Sequence, residues 1–205
     1  MTEPSPSTRP GSGWGHRSHG PATLAGPGRT ALAVHIAWVF ALGIMAGFFA
    51  TYSANINLAT AALDGPAYAL IQSSFNRNVR HALFFVFFFG VVPLGLCLLV
   101  LSGAERQRRW WWLVALGVVA YLLGIVVFTR AVNLPLNALT ESWTPATVPA
   151  DWAQVRDAWN RANLWRAVLC AGLFVLGLWT LVDRLLPDRP PAGAAPSTPV
   201  PGLRR

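Results

Sequence analysis

Trp152, Arg156, Trp159, Asn163 and Arg166 follow one another at spacings of four, three, four and three, which places all five on one face of a helix. A solvated helix turns its charges to water and its apolar side chains to the core. This stripe instead mixes two indoles with two guanidinium groups and an amide, the composition of a lined cavity. The competing reading is an aromatic belt at headgroup level with snorkelling arginines. Arg166 bears on the choice, because the sixteen apolar residues after it cover only about 24 Å of a hydrocarbon layer roughly 30 Å thick. A cation at that depth is expensive towards lipid, so the bundle interior is its expected place, held by carbonyls, asparagine side chains or an anionic ligand. Hydrophobic mismatch with snorkelling is the alternative.

A second group of residues points to the same place. The eight asparagines form four pairs, Asn55 and Asn57, Asn76 and Asn78, Asn133 and Asn137, Asn160 and Asn163, each beside an apolar run and all on one expected side. Capping and turn formation would explain them. A polar ring around a pocket would also do so. Thr129 to Asn137 reads TRAVNLPLN; Pro135 is expected to force Leu134 out of helical geometry, with Asn133 and Asn137 serving the freed backbone groups. His81, before the second run, is by residue type a candidate proton acceptor, although a histidine there also serves as a cap.

The elements that must hold these residues follow from the apolar runs. The chain has 205 residues, 54% hydrophobic and 12% charged, too few charges for an ordinary soluble domain and too apolar for disorder over most of its length. Apolar runs cover about 31–63, 79–101, 110–129 and 164–184, which predicts an all-α, integral membrane four-helix bundle over 30–186. Asp64-Gly65-Pro66 marks a stop and restart, so the first helix is expected to end near Leu63 and the second to begin well before its apolar part. Asp151 is the expected N-cap of the fourth helix, and Pro93 should bend the second span. The helices should therefore extend beyond the bilayer on one side as a crown. The Pro-, Gly- and Ser-rich tails at 1–29 and 187–205 are expected to be disordered.

The net charge of +8 comes from 16 arginines, with no lysine, against 8 acidic residues. The arginines stand singly or in short clusters beside apolar runs, with no aromatic-interleaved basic patch, so nucleic acid is not an expected partner. Ten of them fall on the side of the tails and the 102–109 loop, and Arg77, Arg80, Arg130, Arg156, Arg161 and Arg166 on the other. The positive-inside rule then puts both termini in the cytoplasm and the crown outside, in a cell membrane. Cys97 and Cys170 lie inside apolar runs without a histidine or second cysteine nearby, as inert thiols do, and no metal site, nucleotide loop or nucleophilic triad is present.

TRAVNLPLN after a third span, followed by Trp159, Asn163 and Arg166 at the start of a fourth, resembles the anthrone oxygenase-like family of small four-span membrane proteins, much of which is formally a domain of unknown function. The likeness covers about residues 31–185, including Ala46-Gly47-Phe48 and the approach from Gln72 to Asn76. Characterised members oxidise polyketide anthrones to anthraquinones with molecular oxygen and no firmly assigned cofactor. The resemblance implies an apolar slot for a flat phenolic or quinone-like lipophile, a base, and cations or amides that stabilise the anion. It assigns Trp159 and Trp152 to the slot, and Arg166, Asn163, Arg130 and Arg156 with Asn57, Asn76, Asn133 and Asn137 to the anion. His81 is the candidate base. Molecular oxygen would be co-substrate, no cofactor is expected, and membrane lipid and a small aromatic ligand are the expected partners. A non-catalytic lipophile-binding, carrier or accessory protein is the competing function.

Overall fold

The computed structural model describes residues 28–186, and the disorder expected of both tails lies outside the described residues. Five helices carry the fold: α1 Arg29–Ala61, α2 Gly65–Asn78, α3 Ala82–Leu101, α4 Arg109–Glu141 and α5 Trp152–Leu185. All but α2 are long and apolar enough to cross a membrane. No strand occurs among the described residues. The expected all-α four-helix membrane bundle is what the chain forms.

The bundle closes as a square in which α1 and α4 each pack on both α3 and α5. Its core runs along one face of each helix, through Trp38, Leu42, Met45 and Phe49 of α1, Val91 and Leu98 of α3, Trp110, Val114 and Tyr121 of α4 and Cys170 of α5. The opposite faces expose Leu83, Val86, Val100, Leu116, Val168 and Val175. Helices apolar all round suit lipid as the outer solvent, because every backbone polar group is already bonded within its own helix.

Close helix approach depends on one glycine in particular. A Cβ on Gly95 would lie 2.3 Å from Val118 Cγ2 and 2.8 Å from Trp38 Nε1, whereas a Cβ on Gly47 meets nothing within 4 Å. Gly95→Ala is expected to destabilise the bundle by about 1–3 kcal/mol through overpacking. Gly47→Ala should be neutral or stabilise by up to about 1 kcal/mol through helix propensity. SDS titration in mixed micelles, read by circular dichroism, checks both.

At the crown the structure departs from the expected helix limits. Asp64 caps α2 by accepting from the Ala67 amide at 2.9 Å, with Pro66 in the first turn as expected. The second span does not continue from α2, however. The chain becomes extended at His81 (φ −120°, ψ 161°), whose Nδ1 accepts from the Phe84 amide and starts α3 afresh. A fresh cap frees α2 to pack against the end of α4.

Leu134 corrects a second expectation, since it stays helical (φ −65°, ψ −41°) and α4 runs on through Pro135 to Glu141. The wide turn at Thr129–Asn133 gives the reason. Its π geometry shifts the hydrogen-bond register just before the proline, so the ring, which has no N–H to offer, is received as the first turn of a new helical stretch. Neither Asn133 nor Asn137 then serves freed backbone with its side chain: both amide atoms of Asn133 lack a partner, and Asn137 accepts from Trp159. Asp151 occupies the N-cap position of α5 without a side-chain bond to the helix.

Candidate functional site

A cavity of about 1170 Å³ opens at the crown end, lined by residues of all five helices. That is somewhat above the roughly 300–1,000 Å³ typical of small-molecule sites. Its wall is mainly apolar and rich in aromatic rings, including Phe49, Phe84, Phe85, Phe88 and Phe89. Two of its polar elements come from π turns. Tyr52–Ile56 in α1 presents Tyr52, and Thr129–Asn133 in α4 presents Thr129 and Arg130. An extra residue in a turn re-aims the side chains around it, and such turns are frequent at functional sites.

Arg166 stands at the bottom of the polar part, 6% exposed. Its Nη2 donates to Asn163 Oδ1 at 2.8 Å and its Nη1 to Thr129 Oγ1 at 3.4 Å, while Nε has no partner. The guanidinium lies over the Phe49 ring at 4.5 Å and nearer the edge of contact with Trp159 at 5.8 Å. Among the described residues no carboxylate pairs with it. Asn163 is itself fixed, its Nδ2 donating to Ser53 Oγ at 2.8 Å and to Phe49 O at 3.3 Å. Asn163 therefore positions Arg166 and has no spare donor to offer a ligand.

Above this pair a hydrogen-bonded chain crosses the crown. Tyr52 donates to Gln72 Oε1 (3.2 Å), Gln72 to Asn76 Oδ1 (2.9 Å), Asn76 to Thr140 Oγ1 (3.1 Å), and Thr140 to Asn137 O (3.0 Å). Asn137 Oδ1 accepts from Trp159 Nε1 at 2.6 Å, and Trp159 packs on Tyr52 at 4.8 Å, so the polar belt returns to its start. Buried amides satisfied in this way hold α1, α2, α4 and α5 in register.

The structure thus brings Arg166, Asn163, Trp159, Arg130, Asn137 and Asn76 to one cavity wall. It does not bring Trp152, Arg156, Asn133, Asn57 or His81 there. The stripe on α5 is continuous, but Trp152 is fourteen residues above Arg166, about 21 Å along the axis, and passes beyond the cavity. Trp152 instead packs on Tyr68 at 5.6 Å in a separate crown cluster with Trp143. Burial there pushes the Tyr68 phenol up, so it stays neutral. Arg156 lies over the Trp152 ring at 5.1 Å and bonds Asp157. Asn57 is buried beside the cavity, and the His81 ring is exposed at the cap of α3.

Tyr52 and Ser53 were missed in the sequence, and Thr129 and Gln72 stood there only inside motifs, without a role of their own. Nothing in their spacing joins them, and only the π turns and the packing of α2 bring them together. The lining contains no aspartate, glutamate or histidine. The site therefore offers a fixed cation, amides and aromatic faces to a ligand, without a carboxylate or imidazole to accept its proton.

No curated protein and no solved structure matches the chain. The family model described as anthrone oxygenase matches residues 83–176, the stretch from the second span to the middle of the fourth that carries Arg130, Asn137, Trp159, Asn163 and Arg166, and in this stretch the chain is similar to that family.

Proposed function

We propose that the protein is an oxygen-dependent oxidoreductase that holds a phenolic or quinone-like lipophile in the crown cavity, at the outer face of a cell membrane. The observation that carries this is Arg166, a buried cation with no carboxylate partner and an unpartnered Nε in an aromatic cavity. Such a group favours an anionic oxygen on its ligand, and the rings around it favour a flat aromatic body. The likeness of residues 83–176 to the anthrone oxygenase family model supports this reaction class.

An anthrone loses a proton to give its enolate, whose oxygen rests on Arg166, and water carries that proton away because the lining has no acceptor. The carbanionic carbon forms a C–O bond with molecular oxygen, and protonation gives a hydroperoxide. Loss of water breaks the O–O bond and leaves the ketone, so the methylene plus O₂ gives a carbonyl plus H₂O. The protein's part is to hold the anion where Arg166 stabilises its charge. Arg130 and Trp159 bind and orient it, and Asn163 acts through Arg166.

The test is oxygen uptake by the full chain in phosphatidylcholine vesicles with 1,8-dihydroxyanthrone. Uptake well above the spontaneous rate, at one O₂ per ketone formed, is expected. The missing proton acceptor also favours a second reading, a non-catalytic binder or carrier of the same lipophile. Saturable quenching of tryptophan fluorescence without enhanced uptake would establish that reading over the first.

A further inference from the structure

The cavity wall has a gap on its lipid side. Between α3 and α4, the Tyr121 hydroxyl donates to Phe88 O at 3.0 Å, and towards the crown the next tie is the ion pair of Arg80 with Glu141, backed by Asn76 with Thr140. Between these two levels no hydrogen bond or ring contact joins the two helices among the described residues. The seam between α1 and α3 is different, because Phe48 packs on Phe84 at 5.2 Å and Phe40 on Phe87 at 6.0 Å. Phe87 turned to α1 places Phe85 and Phe89 on the other flank of α3, towards α4. These two, 40% and 53% exposed, and Val127 and Leu134 of α4, 48% and 40% exposed, line the cavity and face outward at once. Arg130 stands beside them, exposed, with no ion pair or hydrogen bond among the described residues.

We infer that the ligand reaches the cavity sideways from the bilayer, through a window between α3 and α4 whose posts are Phe85 and Phe89 on one side and Val127 and Leu134 on the other. The inference rests on the lipophile-binding reading of the cavity. It sharpens the ligand class to an aromatic molecule dissolved in lipid, travelling with its polar edge towards the headgroups. The apolar posts let the ring pass without desolvation, and Arg130, at the window, meets the phenolic edge before Arg166 does. An aqueous solute would instead have to pass the hydrogen-bonded belt above.

Single cysteines at Val127 and at Phe89, in a Cys97→Ser background because Cys97 is exposed, can be labelled with a bulky apolar maleimide after the protein has folded in phosphatidylcholine vesicles. Binding of 1,8-dihydroxyanthrone without oxygen is followed by stopped-flow tryptophan quenching. Labels at both window posts should slow association by about tenfold or more, and dissociation with it. The same label at Phe40, on the α1–α3 seam and outside the cavity lining, or at Val175, on the outer face of α5, should leave the rate unchanged. An unchanged rate with a labelled window, or equal slowing from Phe40, overturns the window while leaving the cavity reading intact. Failure of the unlabelled protein to bind the probe overturns both.

Discussion

Arg166→Met is expected to weaken binding of 1,8-dihydroxyanthrone by about 10–150-fold, the equivalent of losing a charge-assisted contact of roughly 1.5–3 kcal/mol. The bundle's resistance to SDS should nevertheless change by no more than about 1 kcal/mol. The two halves of this expectation have one cause. Arg166 is buried without a carboxylate, so the folded protein carries the desolvation cost of the guanidinium with only Asn163, Thr129 and two aromatic faces in return. Methionine fills similar space at no such cost, against the loss of a donor for Asn163 Oδ1. Arg166→Lys keeps the cation and loses the planar fork, so its affinity should fall between the two. Arg161→Met, an exposed arginine of the same helix, should change neither. Equal loss of binding from Arg161→Met, or a collapse of stability in Arg166→Met with binding retained, would show that Arg166 serves the fold and not the ligand.

The site was legible in the sequence where one helix carries it. Trp159, Asn163 and Arg166 share a face, and the shortness of the apolar run after Arg166 already placed the cation inside the bundle. Periodicity fixes the azimuth of a stripe and not the height at which a neighbouring helix ends, so Trp152 and Arg156 were grouped with a cavity that α5 passes beyond. Tyr52 and Thr129 were illegible for another reason. A π turn leaves no fixed mark on the hydrophobic pattern, yet it decides which way a lone tyrosine or threonine points. His81 shows the limit of residue type as a guide. Its Nδ1 is spent on starting α3, and its exposed ring is not part of the cavity lining that its chemistry would suit.

The fold was more legible than the site, because four uninterrupted apolar runs and the Asp64-Gly65-Pro66 break dictate the helices almost unaided. Pro135 misled, since the rule that proline ends a helix assumes a regular hydrogen-bond register before it. The arginines carry a structural role that a count by side does not register. Counting them by side treats each as a topological charge, whereas Arg108 donates to three carbonyls at the end of α5, those of Asp183, Arg184 and Leu186. Part of the charge asymmetry is thus fastening.

Arg184 gives the second large effect, opposite in kind to Arg166. It is 2% exposed at the far end of α5, where its Nη1 donates to Ala31 O at 3.1 Å and its Nη2 to Ser102 Oγ at 2.9 Å and Glu105 Oε1 at 2.6 Å. Its guanidinium also covers the Trp110 ring at 4.6 Å. One side chain therefore ties the start of α1 and the loop after α3 to the end of α5, beside His35, which is bonded to Thr180 and stacked on Trp110. Arg184→Met strands the Glu105 carboxylate, the Ala31 carbonyl and the Ser102 hydroxyl together. Removing one partner of a buried pair costs about 3–5 kcal/mol, and because the Glu105 side chain keeps 25% of its exposure, the expected loss is near the lower end, about 3 kcal/mol. The double variant with Glu105→Gln should recover part of it, since the stranded charge is gone. Ligand affinity in the fraction that stays folded should match the parent, because the two arginines occupy opposite ends of the bundle. An SDS midpoint that does not move in Arg184→Met would mean that its partners find water or lipid headgroups as good a substitute. A midpoint that falls without any recovery in the double variant would assign the loss to the carbonyl and hydroxyl bonds instead of the ion pair.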